Sequence, residues 1–140
     1  MVLYIESSAV LAWLLGEPPA IRILDMLRTA EQVVSSSLTS VECARGLTRA
    51  RLLERLTSIQ ELAALQLLDQ AESGWHIQEL NAHVLARARA PMPGDPVRTL
   101  DALHIASASV LRDGLGPISM LSLDARVRAC ATGLGFPVVP

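Results

Sequence analysis

Short, mostly apolar runs recur along this chain, and each hands over to a segment with helical spacing. VLYI at 2–5, QVVS at 32–35, ISMLSL at 118–123 and the closing VV at 138–139 have strand length. Apolar character this dense means that both faces of each strand are buried. Helical spacing occupies 9–15, 20–30, 41–51, 55–73, 82–90, 100–112 and 125–134, with one further strand over 75–80. Strands separated by helices predict an α/β fold, a three-layer α/β/α sandwich of Rossmann-like type around a parallel sheet of about five strands.

Punctuation supports these boundaries. Gly16-Glu17-Pro18-Pro19 closes the first helix, Ser35-Ser36-Ser37 reads as a loop, and Asp113-Gly114-Leu115-Gly116-Pro117 reads as a tight turn. PMPGDPVR, with three prolines and a glycine in eight residues, is the clearest loop. No repeat, charge block or low-complexity segment divides the chain, so a single domain over 1–140 is expected.

Composition removes several function classes. Apolar residues make up 51% of the chain, yet no run approaches the roughly 20 needed to span a bilayer. The first residues lack the basic region and small-residue cleavage site of a secretory signal. Cys43 and Cys130 fit neither a disulfide framework nor a zinc spacing and read as free thiols in a reducing compartment. A cytoplasmic protein is expected. Four aromatic residues (Tyr4, Trp13, Trp75, Phe136) are too few for a base-stacking platform. All 12 cations are Arg, the better phosphate fork, and Lys is absent.

Parallel sheets place their sites at the carboxyl ends of the strands. Glu6 directly follows the first strand, and Asp124 follows the strand in SMLSLDARV. Glu42 is read into the first turn of the helix after the second strand. Asp101 opens the helix over 100–112, which runs antiparallel to the strand it feeds, so its start lies on the same rim. Each acid alone has an ordinary reading. Thr39-Ser40-Val41-Glu42 fits a capping box, Asp124 fits a helix N-cap, and Asp101 complements a helix dipole. Together they crowd like charges on one rim, which raises their proton affinity and calls for a cation. An all-carboxylate set selects hard divalent ions, Mg²⁺ or Mn²⁺. The net charge is −2, but with these four acids set aside 12 cations face 10 anions, so a phosphate-bearing substrate is compatible. Ser8 and Ser122, each two residues from an acid, are placed to orient a carboxylate or a metal-bound water, or simply to cap a helix.

Other acid-rim α/β proteins fit less well. A response-regulator receiver needs a Lys, the phosphatase D-x-D is missing at Glu6-Ser7-Ser8, and no G-x-G-x-x-G or Walker loop occurs.

YIESSAVLAWLL, SSSLTSVECARGL, LDALHIASA and LSLDARVRACATGLGF, in that order, resemble the PIN-domain ribonucleases, and most closely VapC-type toxins of toxin–antitoxin pairs. The resemblance spans essentially the whole chain. It implies a Mg²⁺- or Mn²⁺-dependent endoribonuclease, homodimeric and inhibited by a cognate antitoxin. Carried onto this sequence, the metal-site acids are Glu6, Glu42, Asp101 and Asp124, with Ser8 as a supporting hydroxyl. The first acid is Asp in the family pattern and Glu here. The extra methylene moves the carboxylate by about 1.5 Å, a misplacement of the size that can cost a hundredfold in rate. The alternative expectation is therefore a PIN-like module that binds RNA or protein with weakened catalysis. A bare scaffold, whose acids only cap helices, is the third.

Arg45 and Arg49, one helical turn apart after Glu42, read either as a phosphate-facing stripe or as a solvated face. Arg98, in the loop before Asp101, is a candidate substrate contact. His104 shares a helix face with Asp101 and reads as a hydrogen-bonded packing histidine, with a ligand or base role as the alternative. His76 and His83 carry no ligand spacing, Cys43 reads as core, and Trp13 reads as core or dimer anchor.

Overall fold

A computed structural model describes all 140 residues. Strands β1 (Val2–Ile5), β2 (Gln32–Ser36), β3 (His76–Gln78), β4 (Ile118–Leu121) and β5 (Val138–Val139) form one sheet. Its order is β3-β2-β1-β4-β5, with every neighbouring pair parallel. Seven helices cover it: α1 (Ser7–Leu14), α2 (Ala20–Thr29), α3 (Ser37–Leu52), α4 (Ser58–Glu72), α5 (Ala82–Ala88), α6 (Thr99–Leu115) and α7 (Ala125–Gly133). The expected three-layer α/β/α sandwich with five parallel strands is therefore present.

The period of two along β1 builds both cores. Tyr4, between Val34 and Met120 in register, points into a cluster with Ile105 and Ala108 of α6 and Val127 and Cys130 of α7. Leu3 and Ile5 point the other way, into a cluster with Val10 of α1, Ile23 of α2, Cys43 of α3 and Leu68 of α4. Cys43 and Cys130 are both buried free thiols, and Trp13 packs against the second cluster. No helix is long and apolar enough to cross a membrane.

From β1 the chain steps outward through β2 to β3, then returns to the other side of β1 for β4 and β5. This reversal creates a crevice outside the carboxyl ends of β1 and β4, the usual ligand position in open α/β sheets. Glu6 and Asp124 flank it.

Several boundaries differ from the sequence expectation, each for an identifiable reason. Ser35 and Ser36 are not loop but the buried end of β2, and Ser37 already begins α3. Their hydroxyls are satisfied internally. Ser36 Oγ accepts from the Leu38 amide at 3.1 Å as the true cap of α3, and Ser35 Oγ donates to the Ile5 carbonyl at 2.7 Å. Thr39 is consequently no cap; its hydroxyl pairs with Ser35 Oγ at 2.8 Å, and Glu42 sits in the second turn of α3 rather than the first. Helix α4 starts at Ser58 because Thr57 and Gln60 form a reciprocal capping box, after Glu54 has turned the chain with φ +60°. The tight turn before β4 is shorter than read, since α6 continues to Leu115 and only Gly116, at φ +86°, breaks it. One glycine permits a close crossing: a Cβ on Gly46 of α3 would lie 2.8 Å from both Leu11 methyl carbons on α1.

Candidate active site

All four acids singled out in the sequence line one cavity of about 520 Å³ at the crevice, together with Ser7, Ser8, Arg45 and Arg98. Leu11, Leu38, Val41 and Leu100 supply an apolar rim. Arg49 and Ser122 are not among the lining residues, although Ser122 sits directly beneath Glu6.

Glu6 is 5% exposed and serves as the N-cap of α1. A buried carboxylate needs donors on both oxygens, and three serines provide them. Oε1 accepts from Ser7 Oγ at 2.7 Å and from the Ser8 amide at 3.1 Å. Oε2 accepts from Ser122 Oγ at 2.8 Å and closely from Ser8 Oγ. Ser122 Oγ in turn accepts from the Asp124 amide at 3.1 Å, so one buried hydroxyl ties two acids together.

Glu42 reaches the cavity from α3. Its Oε1 lies 2.5 Å from His104 Nε2, and His104 Nδ1 lies 2.8 Å from the Tyr4 hydroxyl. Tyr4 is fully buried, and its phenol is pushed well above its ordinary range by burial, reinforced by the charges of Glu6 and Glu42.

Asp101, in the first turn of α6, accepts from Arg98 Nε at 2.6 Å, while Arg98 Nη2 donates to Asp124 Oδ2 at 2.9 Å. Asp124 caps α7, its Oδ1 accepting from the Arg126 and Val127 amides at 2.8 and 3.2 Å. Crowding on the rim was expected to raise the proton affinity of these acids, but Asp124 moves the opposite way. Partial burial acts to raise it, and the Val127 and Arg126 amides together with Arg98 outweigh that, leaving it below the ordinary value of 3.8. The cap expected for Asp124 uses one oxygen and leaves the other facing Arg98.

The acids are gathered around one cavity but not onto one point. No three Asp, Glu, His or Cys side chains converge at metal-ligating distance. Arg98, read from the loop as a candidate substrate contact, lines the cavity and supplies the positive charge between Asp101 and Asp124. Arg45 is exposed and forms no ion pair, and Arg49 continues outward along the same face of α3. His76 and His83 are exposed and away from the site. Sequence reasoning missed Tyr4 and Ser7. The signal for Tyr4 was present, since a strand period of two puts Tyr4 and Glu6 on one face and one helical turn separates Asp101 from His104.

A family model described as the PIN domain matches residues 3–131. This chain belongs to the PIN-domain family. Among its PIN-domain relatives, Ribonuclease VapC46 of Mycobacterium tuberculosis is 32% identical over 137 residues, covering 98% of this chain and 95% of that one. Ribonuclease VapC35 of the same species is 29% identical over 140 residues. The fold is shared with a toxin–antitoxin complex from Klebsiella pneumoniae, with TM-score 0.67 at 18% identity over 100% of this chain and 97% of that one. It is also shared with VapC20 of M. tuberculosis, a toxin that cleaves the sarcin–ricin loop, with TM-score 0.63 at 15% identity over 96% and 95% of the two chains.

Proposed function

We propose that this PIN-domain protein is a divalent-metal-dependent endoribonuclease, the toxin of a toxin–antitoxin pair. The observation that carries this reading is the meeting of Glu6, Glu42, Asp101 and Asp124, from four separate element junctions, around one cavity. Relatives named as ribonucleases, aligned over nearly the full chain, support the RNA substrate class. The fold shared with the toxin–antitoxin complex from Klebsiella pneumoniae supports the partner class.

The donor set fits a hard cation. Every candidate ligand is a carboxylate oxygen, and Arg98 already marks the space between Asp101 and Asp124 as one that accepts positive charge. Glu42, Asp101 and Asp124 would hold Mg²⁺ or Mn²⁺ once Arg98 withdraws from the two aspartates, joined by Glu6 when it gives up a serine partner. An ion held there would supply charge to activate a water and to neutralise the leaving oxygen. The chain's own contributions are positional. Ser8 and Ser122 fix the Glu6 carboxylate, and the Arg126 and Val127 amides fix Asp124. Arg98, released from the acids, is free to contact a phosphate. Exposed Arg45 and Arg49 lead away from the cavity along α3 and follow the RNA backbone. In the reaction, a water oxygen bonds to phosphorus and gives up a proton, one P–O ester bond breaks, and the departing sugar oxygen takes up a proton in turn, so the proton count balances.

Cleavage of RNA by the purified protein tests this. Activity is expected with Mn²⁺ or Mg²⁺, abolished by EDTA and by Asp101→Asn. Activity that persists in EDTA overturns the metal-dependent reading.

One observation favours a second reading, in which RNA is bound but cut poorly. Both oxygens of Glu6 are occupied by serine hydroxyls and an amide, and so compete with an ion. Glu6→Asp restores the family residue. A large gain in cleavage supports weakened catalysis in the natural chain, and no gain removes it. A homodimer inhibited by an antitoxin completes the proposal; light scattering of the free chain and of a complex with the antitoxin tests it.

A further inference from the structure

His104 is buried, 1% exposed, and both of its nitrogens are engaged. Nε2 meets Glu42 Oε1 at 2.5 Å and Nδ1 meets the Tyr4 hydroxyl at 2.8 Å, with the Tyr4 and His104 rings edge to face at 82°. A ring with both nitrogens committed has no lone pair left for an ion, so a ligand role is closed to it.

We propose that Tyr4 and His104 form a buried relay that positions Glu42, committing one carboxylate oxygen to the protein and presenting the other alone to the cavity. The assignment follows from donor and acceptor chemistry. A carboxylate only accepts, so the ring hydrogen facing Glu42 sits on Nε2. Nδ1 then carries the lone pair, and the Tyr4 hydroxyl donates to it. No donor in the chain reaches Glu42 Oε2, and the Glu42 side chain is 23% exposed and lines the cavity.

The need for such a relay is visible in α3. Glu42 lies in the second turn, one turn farther from the sheet edge than a cap residue, on a side chain with three rotatable bonds. Glu6 and Asp124 are held by cap amides; Glu42 has none. Tyr4 is rigid because β1 is the central strand, paired on both sides. The relay therefore ties Glu42 to the sheet through two buried rings, as outer partners orient the ligands of metal sites generally. The positioning role rests on the proposed metal-dependent reaction, whereas the hydrogen-bond pattern does not.

Two measurements separate them. In the metal-free protein, long-range ¹⁵N–¹H correlation of the His104 ring is expected to show a protonated Nε2 and an unprotonated Nδ1. The opposite tautomer overturns the relay whatever the reaction. Titration calorimetry with Mn²⁺ alone then compares the parent with His104→Leu, His104→Gln and Tyr4→Phe. His104→Leu is expected to weaken Mn²⁺ binding about 10- to 100-fold, with most of it restored in His104→Gln, which keeps a donor to Glu42. RNA cleavage is expected to lose kcat with KM little changed. Equal Mn²⁺ affinity in folded His104→Leu and parent overturns the proposal while leaving the nuclease reading intact. Where His104→Leu does not fold, Tyr4→Phe decides, since it removes a single oxygen; unchanged affinity there overturns the relay. A parent that binds no Mn²⁺ sinks the metal-dependent reading and the positioning role with it.

Discussion

Arg98 and Asp124 stand 26 residues apart in sequence and 2.9 Å apart in space, and the same guanidinium holds Asp101 at 2.6 Å. The ion pair is what lets two carboxylates share the crevice when no divalent ion does so. Arg98 is itself largely exposed and tethered to a loop, so it can swing away without disturbing the sheet.

Replacing that cation therefore separates its two effects. Arg98→Gln is expected to lower the melting temperature of the metal-free protein, because Asp101 and Asp124 lose their shared counter-charge. The same variant is expected to gain a larger melting-temperature increment from Mn²⁺ than the parent, because no guanidinium competes. Thermal unfolding with and without the ion checks both, and equal increments in the two proteins refute the competition.

The depressed proton affinity of Asp124 fixes the sign of a pH effect. Its carboxyl is held below the ordinary value of 3.8 in the folded chain. The resulting stabilisation is fully present above that value and is lost as pH falls through the folded value. Asp124→Asn keeps a competent helix cap but removes the charge. Its unfolding midpoint is expected to fall less steeply than the parent's from about pH 4 to pH 2. Parallel curves over that range contradict the assignment.

Ser122 offers a test of how the acids are braced from below. It is fully buried, donates to Glu6 Oε2 at 2.8 Å and accepts from the Asp124 amide at 3.1 Å. Ser122→Ala strips a donor from a buried carboxylate and an acceptor from a backbone amide, and is expected to cost about 1–3 kcal/mol in urea unfolding. A loss under about 0.5 kcal/mol, the range of ordinary surface changes, denies the hydroxyl this role.

The layered α/β order was legible because buried parallel strands write themselves as dense apolar runs, as VLYI and ISML do. The four rim acids were legible for a related reason, since element junctions on one sheet edge are neighbours whatever their separation in sequence. Polar strand ends were not. Ser35 and Ser36 look like loop residues, and only the three-dimensional partners of their hydroxyls, the Ile5 carbonyl and the Leu38 amide, explain a buried strand there. Side-chain pairing across the site was equally invisible. Arg98 reads as a surface loop cation until α6 and α7 bring Asp101 and Asp124 to it. His104 reads as packing until Tyr4 and Glu42 close on either side.

The two thiols give a prediction independent of catalysis. Burial pushes the Cys43 thiol far above its ordinary range, with Glu42 adding to it, and burial likewise raises Cys130. A thiol kept protonated and enclosed is a poor nucleophile. Neither is expected to react with an alkylating reagent in the native protein, and both are expected to react once unfolded. Mass spectrometry of the alkylated chain reads this directly, and rapid native labelling of Cys43 contradicts the packing described around it.

Arg45 and Arg49 carry the last prediction. Glu42, Arg45 and Arg49 follow one face of α3 at spacings of three and four residues, so the face changes from acid at the cavity to base beyond it. Arg45 lines the cavity and Arg49 does not, and neither is neutralised by an ion pair, which distinguishes them from Arg51, bound to Glu61 at 2.9 Å. On the proposed nuclease reading, a backbone phosphate seated near the acids would have its neighbours over these two cations. Charge reversal, Arg45→Glu with Arg49→Glu, is expected to weaken RNA binding and to reduce its dependence on salt by about one unit of slope per lost phosphate contact. Binding measured across a salt series provides the check. If weakening comes without a change in slope, the arginines act on the fold of α3 rather than on phosphate; if affinity and slope both stay unchanged, the RNA leaves the cavity by another path.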